Sequence, residues 1–251
     1  FAMNGSLYAM LLYLVLYLQD DLGYSALGTG LRLLIMSGVT LVTATIAGRL
    51  STHMPVRWLI GPGLLLVGIG LLLMTGLDGA SSWTHLIPGF VVAGAGSGMV
   101  NPPLASTAVG VVTPQRSGMA SGVNTTFRQI GIATGIAVYG TIFASSLQHK
   151  LDHTLAAIPS LHEHLPRVVA AVQQGNVAQS INAVPKSVRG PLVAAIRSSF
   201  ASTLDVLLVV SAVLALVGAV CAVSLIRPRD FVVSSDVTPT PAPGEPARSS
   251  A

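Results

Sequence analysis

Apolar runs of about 20 residues recur along the chain, separated by short polar joints, and this is the pattern membrane-crossing helices require. Six runs qualify: Phe1 to Leu18, Gly28 to Leu50, Trp58 to Leu77, His85 to Val112, Gly118 to Leu147 and Leu204 to Ile226. Between the last two, Leu147, Leu151, Leu155, Ile158, Leu161, Leu165, Val169 and Val172 recur at near-helical spacing. That segment reads as amphipathic helices lying on or capping the bundle, broken into short pieces by Pro159, Pro166, Pro185 and Pro191. The end of the chain, SSDVTPTPAPGEPARSSA, has the composition of a disordered tail. The expected fold class is an all-α integral membrane protein of six transmembrane helices. Five spans fill 1–147, a long extracytoplasmic loop 148–203, the last span 204–226, and a disordered cytoplasmic tail 227–251. The first run is short and has no initiator methionine, charged n-region or cleavage site before it, so the chain reads as the C-terminal part of something longer.

Composition agrees: 51% of residues are hydrophobic and 9% charged, against about 25% charged in soluble domains. The net charge of +4 is small and sided, which excludes nucleic acid as a partner. The lone Cys221 excludes an intrachain disulfide and any multi-cysteine metal site. Asp20, Asp21 and Asp78 mark one set of joints; Arg49, Arg57, Arg116, Arg227 and Arg229 mark the other. Short basic joints face the cytoplasm, which places the tail there as well and makes the chain a multi-pass protein of the cell membrane. Tyr17, Tyr24 and Trp83 then fall at the outer interface and Trp58 at the inner one. Arg32, just inside the outer end of the second run, is the exception.

Polar residues separate the spans into two kinds. The third and sixth are apolar nearly all round, as lipid exposure demands. The first carries Asn4, Ser6, Tyr8 and Tyr13; the second Arg32, Ser37, Thr40, Thr43 and Thr45; the fourth Ser97, Asn101, Ser106 and Thr107. Hydroxyls can bond back to their own helix, but Asn101, Asn124 and Arg128 are not explained that way. The first, second, fourth and fifth spans are therefore expected to line something. In the fifth, SGMASGVNTTFRQIGIATGIAVYGTIF, the residues Asn124, Arg128, Gly131 and Gly135 fall on one helical stripe, with Gln129 beside it. Glycines let helices approach closely, so Gly131 and Gly135 are expected at a packing face. Arg128 then points at protein or trapped water; the other reading is that it snorkels to headgroups. In the fourth span, Gly94 and Gly98 form a small-xxx-small face, and Pro102 and Pro103 free carbonyls and bend the helix. A dinucleotide loop is excluded there by Met99 and by the lack of a preceding strand. No nucleotide, metalloprotease or hydrolase signature occurs, so no catalytic residue, metal or cofactor is expected and the chain is not read as an enzyme. His149 and His153, four apart on a possible helix, have a spacing that can hold a metal, but with Asp152, His162 and His164 they read equally as solvated or interfacial residues.

Taken together, YLQDDLGYSALGTGLRLL, GRLSTHMPVRW, GAGSGMVNPP and SGVNTTFRQIGIATGIAVYG resemble the C-terminal half of the major facilitator superfamily, in its fourteen-helix drug:proton antiporter branch. The resemblance covers Phe1 to Phe143 closely and the sixth span loosely. It implies a half-bundle that pairs with an N-terminal half around a cavity, exporting small amphipathic or cationic substrates against protons by alternating access. The cavity or gating residues it points to are Asn4, Tyr8, Asn101, Asn124, Arg128 and Gln129. GRLSTHMPVRW is similar to the family's cytoplasmic gating loop, with Thr52 where an acidic residue is expected, and Ile35 stands where a proline is usual. The coupling carboxylates of this branch lie mainly in the other half. The alternative is a membrane-embedded scaffolding half-bundle with no transport of its own.

Overall fold

The computed structural model describes residues 1–77, 82–156 and 186–226, and among them the regular structure is helical throughout. Helix α1, Ala9–Leu16, is continuous with wider π-helical turns at Asn4–Tyr8 and Tyr17–Asp21. It is followed by α2 (Ala26–Leu50), α3 (Arg57–Leu73), α4 (Ile87–Gly110), α5 (Ser117–Ala156) and α6 (Lys186–Leu225). Ser25 starts α2 by accepting a hydrogen bond from Gly28 N at 3.1 Å, a side-chain cap on an otherwise unpaired amide. The helix α2, the Ser117–Lys150 part of α5 and the Ile196–Leu225 part of α6 are each long and apolar enough to cross a bilayer; α3 is a shorter apolar helix.

Two boundaries differ from expectation. Helix α5 runs beyond Leu147 to Ala156, and α6 begins at Lys186, well before Leu204. Both ends of the 148–203 segment are thus continuations of the neighbouring helices. The first of them carries Leu147, Leu151 and Leu155 of the near-helical spacing read from the sequence. Pro191, the sixth residue of α6, does not end the helix, although it removes one backbone hydrogen bond there. Residues 157–185, with His162, His164, Pro159, Pro166 and Pro185, lie outside the described residues, as does the tail from 227.

Glycine decides the packing, because it removes the side chain where two helix backbones must meet. On α4, Gly94 and Gly98 face α2: a Cβ on Gly94 would lie 2.7 Å from Met36 O. Gly96 faces α3, where a Cβ would lie 2.7 Å from Val67 N. Helix α4 is therefore clasped on both sides at backbone distance. Pro102 and Pro103 lie inside it, and Ser106 and Thr107 donate to the Pro103 carbonyl at 3.0 and 2.7 Å. Toward the C-terminal end of α1 an aromatic seam joins α1, α5 and α6: Tyr13 meets Phe143 at 5.6 Å, Phe143 meets Phe200 at 5.0 Å, and Tyr17 stacks on Phe200 at 6.3 Å.

Helices α3 and α6 pack against each other, and each keeps an exposed apolar stripe, Leu65, Ile69 and Leu72 on one, Val209, Val213, Val217 and Val220 on the other. The helices least covered by this chain are α2 and α5, which expose Leu27, Leu31, Leu34, Leu41, Val42 and Ile46, and Met119, Val123, Phe127 and Ile130. At the turn after α3, where Gly76 takes φ +84°, Gly76 N and Leu77 N donate to the Asp205 carboxylate of α6 at 3.2 Å. Hydrogen bonds to an ionised acceptor are worth about 1.5–3 kcal/mol. Asp205→Ala should therefore lower the melting temperature of the intact protein by several degrees, measured in detergent, while Asp205→Asn recovers part of the loss.

Candidate functional site

A membrane span offers water to few of its polar groups, so those within it must find each other. Tyr8, on the first π-helical turn, reaches across to α4: its hydroxyl lies 3.4 Å from Ser97 Oγ, and Asn101 Nδ2 donates to it at 3.3 Å. Asn101 Nδ2 is also shared with Ser97 O at 3.1 Å and Ser97 Oγ at 3.3 Å. Ser97 and Asn101 stand four apart on α4 and so share a face. Asn101 and Tyr8 are each half-buried, while Ser97 is buried. The cluster presents a phenol, a hydroxyl and an amide, whose Oδ1 makes no hydrogen bond among the described residues. It can hold a polar or cationic group by hydrogen bonding; with no acid in it, it cannot by itself carry a proton.

One turn earlier, Asn4 is buried and its Nδ2 has no partner among the described residues. The π-helical turn there widens the helix, a distortion that recurs at functional positions. Gly131 and Gly135 of α5 pack directly on this turn: a Cβ on Gly131 would lie 2.7 Å from Phe1 O, and one on Gly135 would lie 2.6 Å from Gly5 O. The same stripe diverges at its other end. Asn124 is half-buried, but Arg128 and Gln129 are exposed on this chain. The arginine therefore does not point into this chain's own interior.

Arg32 loses its awkwardness. Its guanidinium lies 3.5 Å from the Tyr24 ring centroid and 4.9 Å from that of Trp83, and it donates to Gly28 O at 2.9 Å. It is held between two aromatic rings and a backbone carbonyl at the start of α2. The 400 Å³ crevice between α1, α5 and α6, lined by Gly5, Gly131, Gly135, Tyr139, Val213 and Leu214, was not anticipated from sequence, because its walls come from three helices far apart along the chain. Ser97 was also missing from the candidate set; its place one turn before Asn101 was the available signal. Among the described residues no group of three or more metal-ligating side chains gathers, and His149 is exposed.

Comparison with known proteins bears on the same residues. The chain is 32% identical over 155 residues to the multidrug resistance protein Stp of Mycobacterium tuberculosis, covering 61% of this chain and 29% of that one. It is 34% identical over 152 residues to the puromycin resistance protein pur8 of Streptomyces alboniger, 59% of this chain and 30% of that one. To the tetracenomycin C resistance and export protein of Streptomyces glaucescens it is 27% identical over 218 residues, 84% of this chain and 40% of that one. The chain thus spans well under half the length of these relatives. Residues 1–148, which hold α1 to α4, most of α5 and the whole Tyr8–Ser97–Asn101 cluster, match the family description Major Facilitator Superfamily. This all-α, multi-pass membrane chain belongs to the Major Facilitator Superfamily.

Proposed function

We propose that the chain is the C-terminal half of a proton-coupled multidrug efflux transporter working by alternating access. The observation that carries this is the Tyr8–Ser97–Asn101 cluster, a hydrogen-bonding site built between two helices of an otherwise apolar bundle. The resistance and export proteins to which it is similar support the direction of transport. An N-terminal half of the same transporter is the partner that the uncovered faces of α2 and α5 fit, with Asn124, Arg128 and Gln129 facing the cavity between the halves. Small amphipathic or cationic molecules are the substrates, the lipid bilayer surrounds α3 and α6, and protons enter through carboxylates supplied largely by the other half.

The test is export by the intact transporter in drug-loaded cells. Asn101→Ala removes the amide that joins Tyr8 to Ser97, and a hydrogen bond worth about 1 kcal/mol to the protein or its substrate predicts a severalfold fall in export with abundance unchanged. Unchanged export from Asn101→Ala and Tyr8→Phe alike would favour the scaffolding alternative. Orientation has its own check. With Cys221→Ser as background, His53→Cys should react with an impermeant thiol reagent only from the cytoplasmic side and Thr84→Cys only from outside; both residues are exposed. Labelling of both from one face would sink the topology.

A further inference from the structure

The outer end of α1 holds a buried acid that the cluster above does not use. Asp21 closes the second π-helical turn with only 7% of its surface exposed. Arg197 of α6 is its ion-pair partner: Nε lies 4.0 Å from Oδ1, and the arginine side chain is half in solvent. Among the described residues no hydrogen bond reaches the Asp21 carboxylate. On the same helix Tyr17 stacks against Phe200 of α6, so the acid sits at the rim of the aromatic seam.

A carboxylate taken out of water needs close donors or a well-seated counter-charge, and a single 4.0 Å contact to a half-hydrated guanidinium replaces little of what water supplied. The shut seam therefore favours the protonated acid and a hydrated, open seam the ionised one. We propose that Asp21 is an outer proton-binding group: a proton arriving from outside holds the end of α1 against α6, and its departure lets that seam open. Burial pushes the Asp21 carboxyl up to about 6, with Arg197 opposing the rise. In an open, hydrated seam it returns toward about 3.9. The shut form thus binds the proton more tightly, so its advantage is full below about pH 4 and is lost as pH rises through about 6. Two units of difference shift the balance by up to about a hundredfold.

Among the described residues the other charged groups of this end are placed elsewhere. Asp20 is exposed on the same turn, Arg32 of α2 lies over Tyr24 and Trp83, and Lys150 of α5 and His85 act on Asp205 of α6. His149 of α5 is exposed. The inference rests on the export reading only for its use, since closing the outer side on a proton taken from outside is a step an antiporter needs.

In the intact transporter with Cys221→Ser, Leu18→Cys puts a thiol at a position with no exposure, one turn below Asp21, and Gln148→Cys gives an exposed reference. The labelling rate of the first by an impermeant maleimide, divided by that of the second, should rise about tenfold from pH 5 to pH 7.5. Asp21→Asn, neutral at every pH, should keep Leu18→Cys protected throughout, and Arg197→Gln should move the midpoint upward. A ratio flat with pH in the Asp21 protein, or a pH dependence that survives in Asp21→Asn, overturns the proposal. Labelling does not read export, so a responsive seam in a protein that exports nothing would count against the export reading alone.

Discussion

Gly98→Leu should remove the intact transporter from the membrane, and Gly98→Ala should lower its melting temperature by several degrees. A Cβ on Gly98 would meet Thr43 Oγ1 and lie 2.6 Å from Thr40 O and 2.9 Å from Ala44 N. Two of those atoms are α2 backbone and cannot rotate aside. Overpacking costs about 1–3 kcal/mol where side chains can adjust, so alanine belongs at the upper end and leucine beyond it. Moving α2 away also strains the bond from Thr40 Oγ1 to Gly94 O, 3.1 Å long, which ties the same two helices together. Gly118→Ala, which meets nothing within 4 Å in this chain, is the comparison that separates a packing effect from a loss of helix freedom. Equal melting temperatures for Gly98→Ala and Gly118→Ala would contradict the α2–α4 crossing.

Hydropathy located the helices because a bilayer imposes one length and one chemistry on anything that crosses it. Helix α2 starts at Ala26 against an expected Gly28, and α3 at Arg57 against Trp58. The extension of α5 to Ala156 was legible in the spacing of Leu147, Leu151 and Leu155, but the start of α6 at Lys186 was not, since an apolar run does not mark where a helix begins outside it. Within the site, Asn101 stood out because an amide in an apolar run must be paired. Its partners did not stand out. Ser97 reads like any hydroxyl that bonds its own helix, and Tyr8 like any interfacial aromatic, until α1 and α4 are brought together. Asp21 and Arg197 are harder still, because they are far apart in sequence and no local period links them. The glycines carried the most spatial information. The spacing of Gly131 and Gly135 named a packing face, but it did not say that α1 is the helix packed there.

Arg128→Ala should cut export by the intact transporter by about 10–100-fold while leaving its abundance in the membrane intact. An arginine at mid-membrane costs about 2.5–3.5 kcal/mol on the insertion scale, which protein partners or cavity water must offset. On this chain its side chain is exposed, and among the described residues no carboxylate pairs with it. On the proposed export reading, the groups that offset that cost are cavity water and residues of the N-terminal half. Charge-assisted hydrogen bonds to such groups are worth about 1.5–3 kcal/mol, which sets the size of the expected fall. Arg128→Lys should recover only part of the activity, because a point charge does not reproduce the planar fork of guanidinium donors. A purely structural arginine gives a different result: Arg128→Ala then disappears from the membrane, and export falls only in proportion. Measuring abundance and export on the same cells distinguishes these, and normal values for both would remove Arg128 from the mechanism.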